Sequence, residues 1–237
     1  MACRPCSPTK RVLRMLPDTP QTRQEMIDVC LAMNASGLNQ GTSGNVSVRV
    51  AEGLLITPSA LPYAEMRPEH IVKLPMEGPG APTIKPSTEW QFHQAILATR
   101  PDVMAVVHAH PVHATALSTL RQPIPPVHYM IAAFGGADVP VTGYALFGSE
   151  TLAQMVSEAL RDRDGCLLAN HGAITTGTTL AQALWRMQEL ETLAQVYALA
   201  RSMGDPVLLS EAEIDETLTA FSSYRPVGTT ADDEAPA

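Results

Sequence analysis

Two histidines that lie two residues apart follow an apolar run near the middle of the chain. The segment Val106-Val107-His108-Ala109-His110-Pro111 predicts a β-strand and its end, and side chains at positions i and i+2 of a strand point to the same face. The two imidazoles would therefore project together, as two nitrogen ligands supplied to a metal ion by one rigid element. The spacing alone is equally compatible with a strand edge that carries two solvated histidines.

A second strand-like run, Cys166–Asn170, delivers His171 to a glycine turn in the same manner. Three histidines at strand ends match the three-ligand arrangement of a catalytic zinc site, which keeps a position open for water or substrate. The sequence therefore predicts a metal centre formed by His108, His110 and His171.

Two loops rich in Gly, Ser and Thr could bind an anion. Thr42, Ser43, Gly44 and Asn45 form a run of turn residues, whose backbone N–H groups can converge on one concavity. The Ser87-Thr88 pair is placed at a predicted helix start, where unpaired N–H groups and the helix dipole favour a phosphate. Each loop alone is typical of an ordinary turn or cap, but two of them beside a metal centre favour a phosphorylated substrate.

Glu89 follows the second of these loops. A carboxylate near a metal can be a fourth ligand, a general base, or each in turn, and it can also simply complement a helix dipole. His93 lies one helical turn further on, so a Glu89/His93 ligand pair is conceivable, although a structural histidine is the favoured interpretation. His113 and His128 flank the strand that carries His108 and the loop after it, and they are candidates to support the metal ligands. His70 is predicted at the surface.

The remaining pattern supplies the elements that position these residues. It predicts strands and helices in alternation, and hence an α/β or α+β fold. The predicted strands are 46–50 and 54–57, which form a hairpin, 103–110 and 166–170. The predicted helices start at the capping box Thr22-x-x-Glu25, at Ser87, at Ser149, at Leu180 and at the capping box Ser210-x-x-Glu213.

Length, charge and cysteine content limit the class of protein. The chain has 237 residues and a net charge of −8, which fits a single domain and argues against a general nucleic-acid binder. No apolar run is long enough to span a bilayer and residues 1–20 lack a secretory signal, so no membrane partner and a cytoplasmic location are expected. Cys3 and Cys6 form a C-x-x-C without the second pair of a zinc ribbon, whereas Cys30 and Cys166 are expected in the core. The expected organisation is a flexible tail over 1–20, one domain over 21–225 and a disordered end over 226–237.

Seven segments, in order along the chain, resemble the class II sugar-phosphate aldolase/epimerase family. They are Gly37–Ser47, Leu55–Ser59, Pro86–Trp90, Val106–His110, His128–Ala133, Tyr144–Gly148 and Asn170–Gly172, and the resemblance covers roughly residues 22–224. The chain is more similar to the L-fuculose-1-phosphate aldolase branch, because a Glu rather than an Asp follows the Ser-Thr pair and a His-Tyr-Met segment is present.

The resemblance implies a fold, an assembly and a set of roles. The implied fold is a three-layer sandwich with a central, mostly antiparallel sheet between helices, and the implied assembly is a homotetramer with active sites at subunit interfaces. His108, His110 and His171 would bind one Zn²⁺ per subunit, with Glu89 as exchangeable fourth ligand. The implied phosphate-binding residues are Thr42, Gly44, Asn45, Ser87 and Thr88, with Ser43 and Ser59 lining the same pocket.

The same resemblance implies which residues would contact the aldehyde end of the substrate. Tyr129, from a neighbouring subunit, would protonate the aldehyde oxygen, Phe147 would line the aldehyde side, and Tyr224 is the candidate for a tyrosine contributed by the C-terminal end. Ala60 departs from the family, because aldolases commonly have Gly there.

The expected reaction is cleavage of a ketose 1-phosphate into dihydroxyacetone phosphate and a small aldehyde. The charge left on the enediolate requires an electrophile, which could be a metal or a lysine Schiff base. Because Lys10, Lys73 and Lys85 all lie in segments that do not look buried, the metal route is favoured. The alternatives are a 4-epimerase or a methylthioribulose-1-phosphate dehydratase on the same fold, and a non-catalytic, adducin-like scaffold.

Overall fold

The computed structural model describes residues 15–223, so Cys3, Cys6 and Tyr224 and the predictions made for the two ends of the chain lie outside the described residues. Its centre is a six-stranded sheet in the order β3-β2-β1-β4-β6-β5, in which every pairing is antiparallel. The strands are β1 (Asn45–Val50), β2 (Gly53–Ile56), β3 (Val72–Leu74), β4 (Ala105–Ala109), β5 (Gly165–Leu168) and β6 (Gly172–Gly177).

Helices cover both faces of this sheet. They are α1 (Pro20–Ala35), α2 (Trp90–Thr99), α3 (Val112–Thr119), α4 (Glu150–Ala159), α5 (Leu180–Met203) and α6 (Glu211–Ser223). One core cluster lies under α1, α3 and α5, and a separate cluster lies under α2 and α4. The three-layer sandwich with an antiparallel centre is therefore confirmed.

The alternation of side chains along β4 decides which layer each residue faces. Val107 packs in the cluster under α5, whereas Val106 packs in the cluster under α2, as the two-residue period of a strand requires. His108 shares the face of Val106, and its ring meets that of Phe92 on α2 edge-on, with the centroids 5.4 Å apart. The sheet thus directs His108 toward the beginning of α2.

Two predicted helix starts are wrong. Helix α1 begins at Pro20, with Thr19 Oγ accepting from the Thr22 amide, so the cap lies three residues before the predicted Thr22-Glu25 box. Helix α2 begins at Trp90, because Ser87–Glu89 form a separate turn that is closed by the bond from Trp90 N to Ser87 O. The box at Ser210 and Glu213 and the Ser149 cap are confirmed.

The sequence prediction also missed three elements. Strand β3 alternates but has only three residues, which is too short a run to be recognised as a strand. Strand β6 is buried at every position, so it lacks the polar–apolar alternation that marks a half-exposed strand. Helix α3 has only eight residues and follows Pro111 directly.

Within residues 15–223, none of the helices combines the length and the apolarity that crossing a bilayer requires.

Candidate active site

Three imidazoles converge where β4 ends and β6 begins. The ring centroids of His108 and His110 are 4.7 Å apart, those of His108 and His171 are 4.9 Å apart, and those of His110 and His171 are 5.0 Å apart. One ligand atom from each of the three lies within 4.8 Å of the others. The three residues predicted from sequence therefore form a possible metal site.

Hydrogen bonding fixes how His108 presents its ring. Its Nδ1 lies 3.0 Å from the carbonyl oxygen of Ala173 on β6, and because a carbonyl only accepts, Nδ1 carries the proton. In the neutral ring, Nε2 is then left with a lone pair that faces the other histidines. This is the tautomer and the orientation that a metal ligand requires.

Glu89 lies directly against this cluster. Its Oε2 is 3.2 Å from His108 Nε2 and its Oε1 is 3.3 Å from His171 Nε2. Nevertheless, Glu89 Oε1, His108 Nε2 and His110 Nε2 are buried without a hydrogen-bond partner. Buried polar atoms without partners are rare and costly. These three are imidazole nitrogen and carboxylate oxygen donors, which are ligand types that zinc accepts, so the set fits a divalent metal such as zinc.

Electrostatics favour the protonation states that a metal needs. Burial, aided by the neighbouring His108, lowers the pKa of His110 to about 3 and the pKa of His171 to about 4. Burial alone would raise the pKa of Glu89, but His108, His171 and the Asn45 amide together lower that pKa to about 2. At neutral pH the two imidazoles are neutral and the carboxylate is ionised, which are their metal-binding forms.

A polar cavity of about 350 Å³ opens onto the cluster. It is lined by hydroxyl, amide and backbone groups from three loops, and by His110, His171 and Glu89. Every residue predicted to bind or line the phosphate is among its lining: Thr42, Ser43, Gly44, Asn45, Ser59, Ser87 and Thr88. The structure thus brings together two loops that are more than 40 residues apart in the sequence.

Backbone hydrogen bonds hold the loop around Ser59 beside the loop around Ser87. The amide of Ser59 donates to Lys85 O, and the amide of Ser87 donates to Thr57 O. The loop around Gly44 is held from behind, because Tyr63 Oη donates to the Gly44 carbonyl at 2.6 Å in the buried interior. This support by Tyr63 was not found from the sequence, since nothing in the local pattern relates Tyr63 to Gly44.

Three residues that line this cavity are constrained in their backbone or their side chain. A Cβ on Gly44 would lie 2.7 Å from the His108 carbonyl, so only glycine fits where this loop passes β4. Ala60 adopts φ of 58°, the left-handed conformation that an L-residue adopts only at an energetic cost. The side chain of Ser43 is already used, because its Oγ lies 2.9 Å from Gln40 O and 3.1 Å from Asn39 Oδ1.

Asn45 joins the cavity to the metal site. Its Nδ2 donates to Glu89 Oε2 at 3.0 Å, and its Oδ1 is hydrogen-bonded to Nε2 of His93. His93 is fully buried, and its Nδ1 lies 2.7 Å from Ser47 Oγ. Both ring nitrogens of His93 therefore have protein partners, and the structural interpretation of His93, rather than a Glu89/His93 ligand pair, is confirmed.

The other histidines also have partners of their own. His113 Nδ1 pairs with Glu191 at 2.8 Å, and His128 Nδ1 accepts from the Met130 amide. His70 accepts from the Arg67 amide in a short 3₁₀ turn. None of these contacts includes one of the three clustered histidines.

The two aromatic residues predicted at the aldehyde end occupy different places. Phe147 lines the cavity and is 59 % exposed, and it is followed by Gly148, where a Cβ would lie 2.5 Å from the Thr88 carbonyl. Tyr129 is 50 % exposed and lines a separate apolar groove with Trp185 and Phe221. It is not part of the cavity of its own chain.

Comparison with known proteins identifies the family of the chain. Residues 24–198 match the family described as class II aldolase and adducin N-terminal domain. A solved structure named L-fuculose 1-phosphate aldolase superposes with a TM-score of 0.83 at 35 % identity, and the match covers 86 % of this chain and 97 % of that one.

Two relatives carry more specific names. The L-fuculose phosphate aldolase of Escherichia coli K12 is 46 % identical over 202 residues, which is 85 % of this chain and 94 % of that protein. The 5-methylthioribulose-1-phosphate/5-deoxyribulose-1-phosphate aldolase of Rhodospirillum rubrum is 45 % identical over 202 residues, which is 85 % of this chain and 91 % of that protein. From its fold, its histidine cluster and these similarities, the chain belongs to the class II aldolase family.

Proposed function

We propose that this protein is a zinc-dependent aldolase that cleaves a deoxy or methylthio ketose 1-phosphate into dihydroxyacetone phosphate and a small aldehyde. The candidate substrates are L-fuculose 1-phosphate, 5-deoxyribulose 1-phosphate and 5-methylthioribulose 1-phosphate, in keeping with the names of the relatives. The observation that carries the proposal is the contact between the histidine cluster, the unpartnered Glu89 oxygen and a cavity walled by hydroxyl and amide groups.

His108, His110 and His171 would hold the zinc ion, and Glu89 would be its exchangeable fourth ligand. When bound, zinc supplies Lewis acidity that stabilises negative charge developing on substrate oxygens. The three histidines and one carboxylate are also compatible with Mn, Co or Fe. Zinc content is therefore measured directly in the experiment below.

The cavity walls would bind the phosphate. Backbone N–H groups around Gly44 and the hydroxyls of Thr42, Ser87 and Thr88 are donors suited to phosphate oxygens, and the Asn45 amide and the hydroxyls of Ser43 and Ser59 complete the pocket. A phosphate held by these groups would leave the sugar carbons next to Glu89, which lines the same cavity.

Glu89 and Tyr129 would move the protons. In the cleavage direction, the protonated form of Glu89 returns a proton to C3, and in condensation its carboxylate removes that proton. Tyr129 would supply or remove the proton on the aldehyde oxygen. Because Tyr129 lies in a separate groove of its own chain, it would reach the cavity of a neighbouring subunit in a homotetramer.

The aldehyde end would lie against Phe147, whose exposed ring favours a methyl or thioether tail over a polyol. The catalytic domain would span residues 21–225 and act in the cytoplasm, since the free, buried thiols of Cys30 and Cys166 suit a reducing compartment.

Release of dihydroxyacetone phosphate tests the proposal. Protein of known zinc content is incubated with each of the three ketose 1-phosphates, and release is followed by NADH oxidation in a coupled assay. Release that depends on zinc is expected for at least one substrate, and the relative rates identify the preferred tail. Consumption of substrate without release would instead indicate the epimerase or dehydratase, and a protein that binds no metal would indicate an adducin-like scaffold.

A further inference from the structure

A chain of hydrogen bonds runs from β1 through α2 to the proposed base. Ser47 Oγ contacts His93 Nδ1, His93 Nε2 contacts Asn45 Oδ1, and Asn45 Nδ2 contacts Glu89 Oε2. All four residues are buried, and His93 and Ser47 are fully so. Neither His93 nor Ser47 takes a direct part in the proposed reaction.

The direction of each bond follows from Glu89. An ionised carboxylate only accepts, so Asn45 must present its amide nitrogen to Glu89, and its oxygen is then turned toward His93. That oxygen only accepts, so the proton of the neutral His93 ring must be on Nε2. Nδ1 is then an acceptor, and Ser47 donates its hydroxyl hydrogen to it. Only the Nε2-protonated tautomer of His93 is thus compatible with all three hydrogen bonds.

Without a donor at position 93, the Asn45 amide would lose the hydrogen bond that fixes which way its oxygen and nitrogen point. A rotated amide would place its oxygen against the Glu89 carboxylate, where two acceptors repel each other. Glu89 would then lose its single strong hydrogen bond to the protein, because its other oxygen has no hydrogen-bond partner.

We propose that His93 is a positioning residue that acts through Asn45 to hold Glu89 at the metal site. The inference rests on the proposed function for its kinetic effect, but its effect on metal binding does not require that function. With its amide held in this orientation, Asn45 can donate two hydrogen bonds, because an amide NH₂ has two hydrogens. One would remain on Glu89 and the other would reach the substrate phosphate.

The first test is the tautomer of His93 in the full-length, zinc-loaded protein at neutral pH. Imidazole ¹⁵N chemical shifts should show a protonated Nε2 and an unprotonated, hydrogen-bonded Nδ1. A protonated Nδ1 would overturn the proposal, because Asn45 could not then accept from His93.

The second test is a double-mutant cycle between His93→Leu and Asn45→Ala. His93→Leu alone should lower both zinc affinity and kcat/KM by about 10- to 100-fold, which is typical for the loss of a group that supports a metal ligand. In the Asn45→Ala background the same substitution should change either quantity less than about 3-fold, because the residue through which it acts is already gone. Effects that multiply would overturn the proposal.

Two further variants separate positioning from folding. His93→Gln retains an N–H donor and should recover much of the loss. Thr175→Val removes another buried hydrogen bond, which Thr175 makes to Ala183 O on the opposite layer, and should leave kcat/KM per zinc-loaded site within about 3-fold of the wild type. If the wild type releases no dihydroxyacetone phosphate, the proposed function fails, while zinc affinity and the tautomer still decide the role of His93.

Discussion

Gly172 lies directly against the imidazole of His110. A Cβ at position 172 would be 2.4 Å from His110 Cδ2 and 2.6 Å from the carbonyl oxygen of Ala109. Real Cβ atoms do not approach other heavy atoms this closely, so the glycine at the start of β6 is what allows β4 to present His110 at the metal site.

Gly172→Ala should therefore displace His110 and weaken zinc binding by at least about 10-fold. The change in affinity is measured by competition with a chromophoric chelator. Gly204→Ala is the matched control, because a Cβ at Gly204 would have nothing within 4 Å. Equal zinc affinity in the two variants would show that the contact between Gly172 and His110 does not control metal binding.

Glu89→Gln should separate metal binding from turnover. The substitution keeps the size of the side chain but removes the carboxylate that would carry the C3 proton, so kcat should fall by about 10²- to 10⁴-fold. The zinc affinity should fall by about 10- to 100-fold, but the protein should still load with zinc at saturating concentrations because the three histidines are unchanged. Full turnover in a zinc-loaded Glu89→Gln protein would exclude Glu89 as the proton carrier.

The sequence pattern was sufficient to predict the three histidines and Glu89, because they lie at the ends of recognisable elements, whereas Ser59 and Phe147 were predicted only from the family resemblance. His108 and His171 follow strand-like runs, and Glu89 follows a Ser-Thr turn. The contacts that hold these residues could not be predicted, because they join distant segments. Tyr63 and Gly44 are 19 residues apart and Asn45 and Glu89 are 44 apart, and no local periodicity relates such pairs.

Helix starts were predicted less well than strand faces, for a physical reason. Thr19 and Thr22 are both residues that can cap a helix. Thr19 is the N-cap, and Thr22 Oγ donates to Pro17 O instead of capping a helical amide. Val106 and Val107, by contrast, face opposite layers simply because the strand has a two-residue period.

Ala60→Gly should stabilise the protein. An alanine at φ of 58° costs about 1–2 kcal/mol relative to a right-handed conformation, while glycine adds about 0.5–1 kcal/mol of unfolded-state entropy. The free energy of unfolding in urea should rise by about 0.5–1 kcal/mol. Ala51→Gly is the control, because Ala51 is an exposed turn residue that is not among the positive-φ residues. It should destabilise the protein by about 0.5–1 kcal/mol, and equal effects of both substitutions would contradict the interpretation.

Acid should destabilise the metal-free protein over a defined range. The pKa of His171 is about 4 in the folded protein and about 6.5 when unfolded, so between these values the unfolded chain binds more protons. The free energy of unfolding therefore decreases as pH falls from about 6.5 to about 4, by up to about 1.4 kcal/mol per pH unit for each such histidine. His171→Asn should reduce this slope by up to about 1.4 kcal/mol per pH unit, which is the contribution of one histidine. An unchanged slope would show that His171 titrates normally in the fold.

Mixing two inactive variants tests whether Tyr129 serves a neighbouring subunit. Glu89→Gln removes the proposed proton carrier of a site, and Tyr129→Phe removes the acid that the site would receive from another chain. If each site takes Glu89 from one subunit and Tyr129 from the next, subunits reassembled from an equal mixture should have about one quarter of their sites intact, since each intact site needs both wild-type groups at its interface. Activity of the mixture should then rise well above that of either variant, with native mass spectrometry used to verify that subunits exchange. If mixed oligomers form and activity does not rise, Tyr129 does not act across the interface, and its exposed ring must be explained by another contact.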